Sequence, residues 1–401
     1  MRPSSLVDLE DVGLDRGGHL LLKRALKHVA TGEAVEVHGR AEGLDAQIRA
    51  FCRATGHEAR FESAGSSVAT IVRGDKDGAR LRGAERAGHA DRLTKDAVVD
   101  DPSPRWGLAA RGAIVEGGVP PFAFSLSHKS DVWTEDAARL YAQAAAAQWD
   151  PAKAIPWGEA VDLLDEVEDA VVQVMTYLIE NETAALLVPA RFVAKLHPHF
   201  REVMQLLAIQ IADEARHIEV FTRRALLKRT ELGLSTVGGQ VSLKTLVDEP
   251  DFALASFLLS VLGEGSFLSL LWFLHEHAPD VVTREVARLT AQDEARHVAF
   301  GLSHLERHLA AEPAFRDRLR AGVEARHQAL QHTAGLNEEV FDALLLLAAG
   351  GFEPARLLEG HRRVVKLKTD MDEGRRKRLQ RLGFDDADAR SLSSLHTRNF
   401  M

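Results

Sequence analysis

Two copies of one pentad carry the residue types most suited to chemistry in this 401-residue chain: Asp213-Glu214-Ala215-Arg216-His217 and Asp293-Glu294-Ala295-Arg296-His297. Each copy lies in a long apolar-periodic segment without an internal proline, the pattern of a helix interior. Three residues apart on a helix, Glu and His rise about 4.5 Å and stand about 60° apart around the axis, so both side chains reach one point. A carboxylate and an imidazole converging from each of two helices make half of a dinuclear metal site. A single Glu-x-x-His is common on solvated helix surfaces. Repetition of the whole pentad sets these two apart.

An internal comparison extends the pattern. Asn181-Glu182-Thr183-Ala184-Ala185-Leu186 precedes the first pentad and Gly263-Glu264-Gly265-Ser266-Phe267-Leu268 precedes the second. Glu182 stands 32 residues before Glu214, and Glu264 stands 30 before Glu294. Both intervals suit a helix, a tight connection and an antiparallel helix returning to the same height. Glu180 is the rival for the first position, but only Glu182 aligns with Glu264. The chain therefore reads as two helical hairpins, each giving one Glu and one Glu-x-x-His. Glu264 is the single charged residue between Phe252 and Leu274. That run is long enough to span a bilayer. It lacks flanking Lys/Arg clusters, and its charge falls where a bundle needs a ligand, so a buried bundle helix is expected instead. A lone carboxylate buried there costs several kcal/mol unless paired, and a pair of dications would pair it. Asp213 and Asp293 are placed to accept the second N–H of a metal-bound imidazole. Arg216 and Arg296 are placed to neutralise those Asp residues.

These residues resemble the ferritin-like di-iron carboxylate superfamily, in which two helices of a four-helix bundle give Glu-x-x-His and the other two give one Glu each. The twin Asp-Glu-x-Arg-His motif is similar to the ligand motif of bacterial multicomponent monooxygenase hydroxylases. The resemblance covers about Leu140 to Leu305. It implies Glu182, Glu214, His217, Glu264, Glu294 and His297 as metal ligands, with Asp213, Arg216, Asp293 and Arg296 behind them. Two positions depart from the pattern. Ribonucleotide reductase small subunits carry a radical Tyr one turn after the first ligand His, where this chain has Phe221. Monooxygenase hydroxylases carry a Thr one turn after the third-helix Glu, where this chain has Leu268. The first departure argues against a radical-generating subunit.

The rest of the chain must position this machinery. The apolar fraction of 45% suffices for a sizeable core. A net charge of −9 argues against a nucleic-acid groove. The single Cys52 excludes an internal disulfide framework or zinc ribbon. Without a signal-peptide core, a cytoplasmic location is the simplest expectation. The expected fold is mainly α: a small α/β domain over residues 1–74, a linker or strap over 75–134, a ferritin-like four-helix bundle over 135–305, and extra helices over 306–401.

The amino-terminal unit is expected as β-α-β-α-β-β: a strand at Leu6-Val7-Asp8-Leu9, helices Leu20–Val29 and Leu44–Thr55, strands Ala34–His38, Ala59–Glu62 and Val68–Val72, and a turn at Gly65. With Ala25-Leu26, Thr31-Gly32-Glu33 and Phe51-Cys52-Arg53-Ala54-Thr55-Gly56-His57, it resembles the TusA-like sulfur-carrier family. That family's functional Cys lies before its first helix, where this chain has Gly13-Leu14-Asp15-Arg16-Gly17-Gly18. The resemblance thus implies lost carrier chemistry, and Cys52 reads as a packing residue. A helix is expected over Glu135–Gln148, with Trp149 packing on the bundle. The first bundle helix is expected from near Trp157, kinked at Pro189. His197-Pro198-His199 reads as its turn. Amphipathic patterns follow over Pro313–Thr333, Asn337–Ala349 and Pro354–Lys368. Arg375-Arg376-Lys377-Arg378 reads as a solvated helix end. The polar tail from Ser391 carries His396.

Carboxylate-rich N/O ligation with open positions suits two Fe ions, with Mn/Fe also compatible. The expected function is an O2-dependent oxygenase or oxidase acting on a small organic substrate, by C–H hydroxylation, N-oxygenation or desaturation. No dinucleotide fingerprint appears, so a separate electron donor is expected. Neither a nucleic-acid nor a membrane partner is expected, and a homodimer is left open. The alternatives are a ferroxidase, iron-storage or peroxidase-type ferritin-like protein, and a metal-stabilised scaffold for the amino-terminal domain.

Overall fold

Apolar periodicity sorts the chain into a small sheet-bearing part and a long helical part, and the computed structural model divides along that line. It describes residues 5–62, 68–75, 81–330 and 338–396. The turn at Gly65, the helix ends expected at Thr333 and Asn337, and residues 397–401 of the tail lie outside these. One unit comprises Met1–Asp91 with Ala109–Phe122, the other Arg92–Leu108 with Ala123–Met401. The stretch 75–134, expected as a linker, is thus shared between the two. The cause is pairing at a distance: Glu85–Arg86 forms a two-residue antiparallel ladder with Ile114–Val115. Between those strands, Val99 N–H donates to His199 Nε2 at 3.0 Å, within the second unit.

In the first unit, β1 (Ser5–Asp8), α1 (Gly18–Lys27), β2 (Ala34–His38), α2 (Leu44–Thr55), β3 (Glu58–Phe61) and β4 (Val68–Val72) follow the expected order. The sheet order is β1-β2-β4-β3, with β1 parallel to β2 and the other pairs antiparallel. β5 (Glu85–Arg86) and β6 (Ile114–Val115) form the separate ladder. Gly56, at φ 76°, ends α2 in the left-handed conformation that an L side chain resists. Leu22, Val35, Val37, Ile48, Cys52 and Ile71 form its core. Burial pushes the Cys52 thiol up to about 11, which leaves it un-ionised and inert at neutral pH.

The second unit contains α3 (Lys129–Val132), α4 (Ala137–Ala146), α5 (Asp165–Val193), α6 (Arg201–Ala225), α7 (Val237–Val247), α8 (Phe252–Ser256), a π-helical segment (Phe257–Glu264), α9 (Gly265–His277), α10 (Val281–Ala311), α11 (Phe315–Leu330), α12 (Glu338–Ala349), α13 (Pro354–Arg381) and α14 (Asp386–His396). α5 and α6 form one hairpin. The run from α8 to α9 and α10 form the other, and the short connection Ala278-Pro279-Asp280 makes its arms antiparallel. The apolar run is core rather than membrane-facing: 83% of its most hydropathic window is buried.

Several expectations are corrected. α5 starts at Asp165 and not near Trp157, because the preceding Leu164 is extended. Trp157 instead lies under the Arg223 guanidinium, 4.1 Å away. α5 passes through Pro189 to Val193. His197 and His199 do lie at the turn, but both are buried, with His197 Nε2 3.3 Å from the Ser103 carbonyl. The run from Phe252 is not one α-helix, since its middle is wound as a π-helix ending on Glu264. α13 continues to Arg381, so Arg375 and Arg378 lie inside a packed helix and not at a solvated end. Arg375 is only 1% exposed.

A buried ion cluster fixes the bundle at the end where α6 stops and α10 starts. Arg224 donates to Glu168 Oε1 at 2.7 Å, Asp280 Oδ2 at 2.8 Å and Thr283 Oγ1 at 2.7 Å. Asp280 also caps α10 by accepting from Thr283 N–H at 2.8 Å. One guanidinium thereby ties α5, α6 and α10 together.

His304 is buried on α10 and lies 2.7 Å from the Asp131 carbonyl through Nε2. Burial, with the His308 and Arg307 charges, pushes it down to about 4 from 6.5. The folded chain thus binds this proton less readily than the unfolded one. Stability from His304 is full above pH 6.5 and is lost as pH falls towards 4, by up to about 3 kcal/mol. Urea unfolding of His304→Gln between pH 7 and 4 should show a shallower loss than the parent chain; equal slopes would refute this.

Candidate metal centre

The bundle brings all six sequence-predicted ligands to one place. Glu182 comes from α5, Glu214 and His217 from α6, Glu264 from the end of the π-helical segment, and Glu294 and His297 from α10. They fall into two overlapping sets whose ligand atoms lie within 4.8 Å of one another: Glu182, Glu214, His217 and Glu294, and Glu214, Glu264, Glu294 and His297. Glu214 and Glu294 belong to both. All six are buried. Glu180, the rival for the first position, is only partly buried and lines a different cavity with Lys244 and Asp248.

Each imidazole presents one nitrogen to the carboxylates and the other to the opposite hairpin. His217 Nδ1 lies 3.2 Å from Glu214, 3.3 Å from Glu294 and 3.5 Å from Glu182. His297 Nδ1 lies 3.0 Å from Glu214 and 3.3 Å from Glu294. On the far side, His217 Nε2 donates to Asp293 at 3.2 Å and His297 Nε2 donates to Asp213 at 3.3 Å. Each Asp therefore orients the imidazole of the other pentad, which explains why the string recurs as a unit. Holding the proton on Nε2 leaves the Nδ1 lone pair for a metal.

The Asp pair is itself anchored. Arg216 bridges the two, at 2.5 Å from Asp213 and 2.8 Å from Asp293, and Arg296 pairs with Asp293. Neither Arg is a surface residue: their side chains are 9% and 13% exposed. Two further donors come from the end of α4. Gln148 Nε2 donates to Asp213 at 2.7 Å, and Trp149 Nε1 to Asp293 at 2.8 Å. Neither lies on a bundle helix, so the sequence pattern marks Trp149 only as a packing residue and leaves Gln148 unmarked. Gln210, also not foreseen, donates to Glu264 at 3.2 Å. Its signal was there: Gln210 lies one helical turn before Glu214, on the same face.

Charge decides what the cluster is for. Four carboxylates face two imidazoles, so neutral His leaves four negative charges, which two dications would match. Glu182 and Glu264 are held well above the ordinary carboxylate range, by burial first and then by the charge of Glu294. Burial works against ionisation of His217 and His297, yet carboxylates outweigh it, Glu182 foremost for the first and Glu214 for the second. Protons are thus drawn in wherever positive charge is needed. Glu182 Oε1, Glu214 Oε1, Glu264 Oε2 and Glu294 Oε1 are buried and make no hydrogen bond among the described residues. Buried orphaned acceptors are costly, and coordination satisfies them. The donor set fits a dimetal centre, and Glu214 and Glu294 are common to both ligand sets.

Phe221 is fully buried, its ring 6.5 Å from that of His217. Leu268 is partly buried against the core. No hydroxyl stands at either position.

Comparison with protein-family models gave no match. No curated protein matched the chain. Among solved structures, a variant of an R2-like ligand-binding oxidase with an aerobically reconstituted Mn/Fe cofactor is similar at 16% identity and a TM-score of 0.46, over 64% of this chain and 94% of that one. A second, an R2-like ligand-binding oxidase with aerobically reconstituted metal cofactor after photoconversion, is similar with the same identity, coverage and score. It is the side-chain geometry that defines the centre.

Metal analysis by atomic emission should find two ions per chain for the parent and for Glu180→Ala, and fewer for Glu182→Ala; equal loss in both variants would contradict the ligand set. Asp213→Asn should weaken metal binding by roughly 10–100-fold through His297. Unchanged affinity in a competitive chelator titration would show that the Asp does not support the ligand.

Proposed function

We propose that this chain is a ferritin-like di-iron oxidoreductase that uses dioxygen to oxidise a small organic substrate, with electrons from a separate donor. The observation that carries the reading is the pair of shared carboxylates, Glu214 and Glu294, inside two buried four-residue ligand sets. Such N/O ligation suits Fe, with Mn compatible at one position. Two redox-active ions held by these residues would supply two-electron chemistry towards dioxygen.

The protein's own contribution is positional. Glu182 and Glu264 each belong to one ligand set, so they differentiate the two positions that Glu214 and Glu294 join. Asp213 and Asp293 fix the imidazole rings by holding their Nε2 protons. Arg216, Arg296, Gln148 and Trp149 keep both Asp carboxylates ionised: Asp293 is held below its ordinary range despite burial, by His217, Arg216 and Trp149. Phe221, fully buried with its ring 6.5 Å from that of His217, presents an apolar face beside the ligands.

The amino-terminal unit is read as TusA-like. Cys52 is buried and the Gly13–Gly18 turn carries no Cys, which supports a docking or gating role without carrier chemistry. The carboxy-terminal helices pack on the bundle, an arrangement unlike a bare storage-shell subunit.

The test is dioxygen uptake by the Fe(II)-loaded full chain, screened over amine, thiol and acyl compounds with a chemical reductant. Uptake should depend on substrate and vanish in His217→Ala and His297→Ala together with bound metal. Full metal content in both variants would refute the assignment. Retention of many irons per chain without substrate oxidation would favour a ferroxidase.

A further inference from the structure

A second cluster of buried charge, of opposite sign, lies under the carboxy-terminal helices. Arg375 and Arg378 come from α13 and His396 from α14. Arg375 is 1% exposed and His396 6%. Arg375 Nε bonds Ser393 Oγ at 3.1 Å and Nη1 bonds Ser266 Oγ at 3.0 Å on α9, leaving Nη2 without a partner among the described residues. Arg378 Nε donates to the Val261 carbonyl of the π-helical segment at 2.6 Å, and its buried Nη2 also has no partner among the described residues. The Arg378 guanidinium lies flat against Gly265, where a Cβ would stand 2.4 Å from its Cζ.

His396 completes the set. Its Nδ1 faces Arg326 Nη1 at 3.4 Å. A guanidinium can only donate, so Nδ1 must accept and the ring proton belongs on Nε2. That Nε2 is buried and has no partner among the described residues. Arg326 itself bonds Ser242 Oγ and Thr245 Oγ1, each at 2.8 Å.

No carboxylate among the described residues forms an ion pair with Arg375 or Arg378. The nearest one, Asp372, is engaged by Arg376 at 3.0 Å and by the Ser393 hydroxyl at 2.6 Å. An arginine does not readily shed its proton, so a buried Arg375 and a part-buried Arg378 whose Nη2 is out of reach of solvent are unfavourable without counter-charge. Mutual repulsion and burial are felt by the whole group. Burial pulls Arg375 down to about 10 and Arg378 to about 9, and His396 is depressed by burial and by Arg326, Arg375 and Arg378. Three buried donor atoms, from two helices, thus lack an acceptor among the described residues.

We propose that Arg375, Arg378 and His396 together bind a small oxyanion, the carboxylate or phosphate group of a ligand. Guanidinium groups suit such a group because they offer forked donors to its oxygens. The neutral imidazole adds one N–H donor, and Ser266 and Ser393 steer Arg375. The site is separate from the metal centre in its residues, although Gly265 and Ser266 follow the ligand Glu264 directly in the chain.

The test is calorimetric titration of the full chain, after exhaustive dialysis, with inorganic phosphate and with octanoate. One oxyanion per chain is expected to bind, with affinity falling at least about tenfold in Arg378→Gln and in Arg375→Gln. Phosphate binding with octanoate inert assigns a phosphate-type ligand; the reverse assigns the carboxylate of an apolar acid. If the variants do not fold, mass spectrometry of anions released on denaturing the parent chain decides, with a stoichiometric oxyanion expected. Parent-like titration of both variants overturns the proposal, as does a parent chain that neither releases nor binds an oxyanion. The readout is binding alone, so it stands or falls apart from oxygen chemistry at the metal centre.

Discussion

Four carboxylates that converge in the buried interior of the helical bundle set the terms for this protein. Such charge is tolerated in a core only when cations or fully formed hydrogen bonds accompany it. Glu182, Glu214, Glu264 and Glu294 each keep one oxygen atom that makes no hydrogen bond among the described residues, and the two imidazoles cannot supply enough positive charge. Much else follows from that requirement. Each hairpin must return its second helix to the height of the lone Glu, and the Asp-Arg lattice must hold the imidazoles from behind.

The lattice has a consequence for specificity of assembly. Because His217 leans on Asp293 and His297 on Asp213, neither hairpin completes its own half of the centre. The site forms only when α6 and α10 lie side by side, in one register. Arg216 enforces the same register by touching both Asp residues. Away from the centre, Arg224 does so again by joining Glu168, Asp280 and Thr283. Polar groups of this kind stabilise little when compared with apolar packing, but a misplaced helix would strand several charges at once. The π-helical turn before Glu264 belongs with these devices. It changes the angular position of the Glu relative to the helix that precedes it, a change frequently found at functional sites.

The carboxy-terminal helices answer a different electrostatic problem. Arg378 caps the Val261 carbonyl of the π-helical segment, and Arg375 reaches Ser266 two residues beyond Glu264. The cationic cluster is therefore wired to the segment that carries Glu264, through backbone and hydroxyl contacts.

The sequence alone picked out the six residues that the bundle brings together. The twin pentads and the lone Glu before each are local facts, and helical periodicity converts spacing into facing direction without knowledge of the fold. Glu182 was preferred to Glu180 because only it aligns with Glu264 in the internal comparison, and the order of the amino-terminal strands and helices was legible from alternation and Gly56. What the sequence could not decide is who touches whom across elements. Gln148 and Trp149 reach the Asp pair from outside the bundle, Asp213 supports the histidine of the other pentad, and the π-helical turn leaves no periodic mark in a run as uniformly apolar as Phe252–Leu274. Arg375 and Arg378 read as solvated because a run of basic residues ordinarily lies at a surface. Only the packing of α14 and α9 around that stretch of α13 buries them, since burial belongs to the assembled layers and not to any one segment.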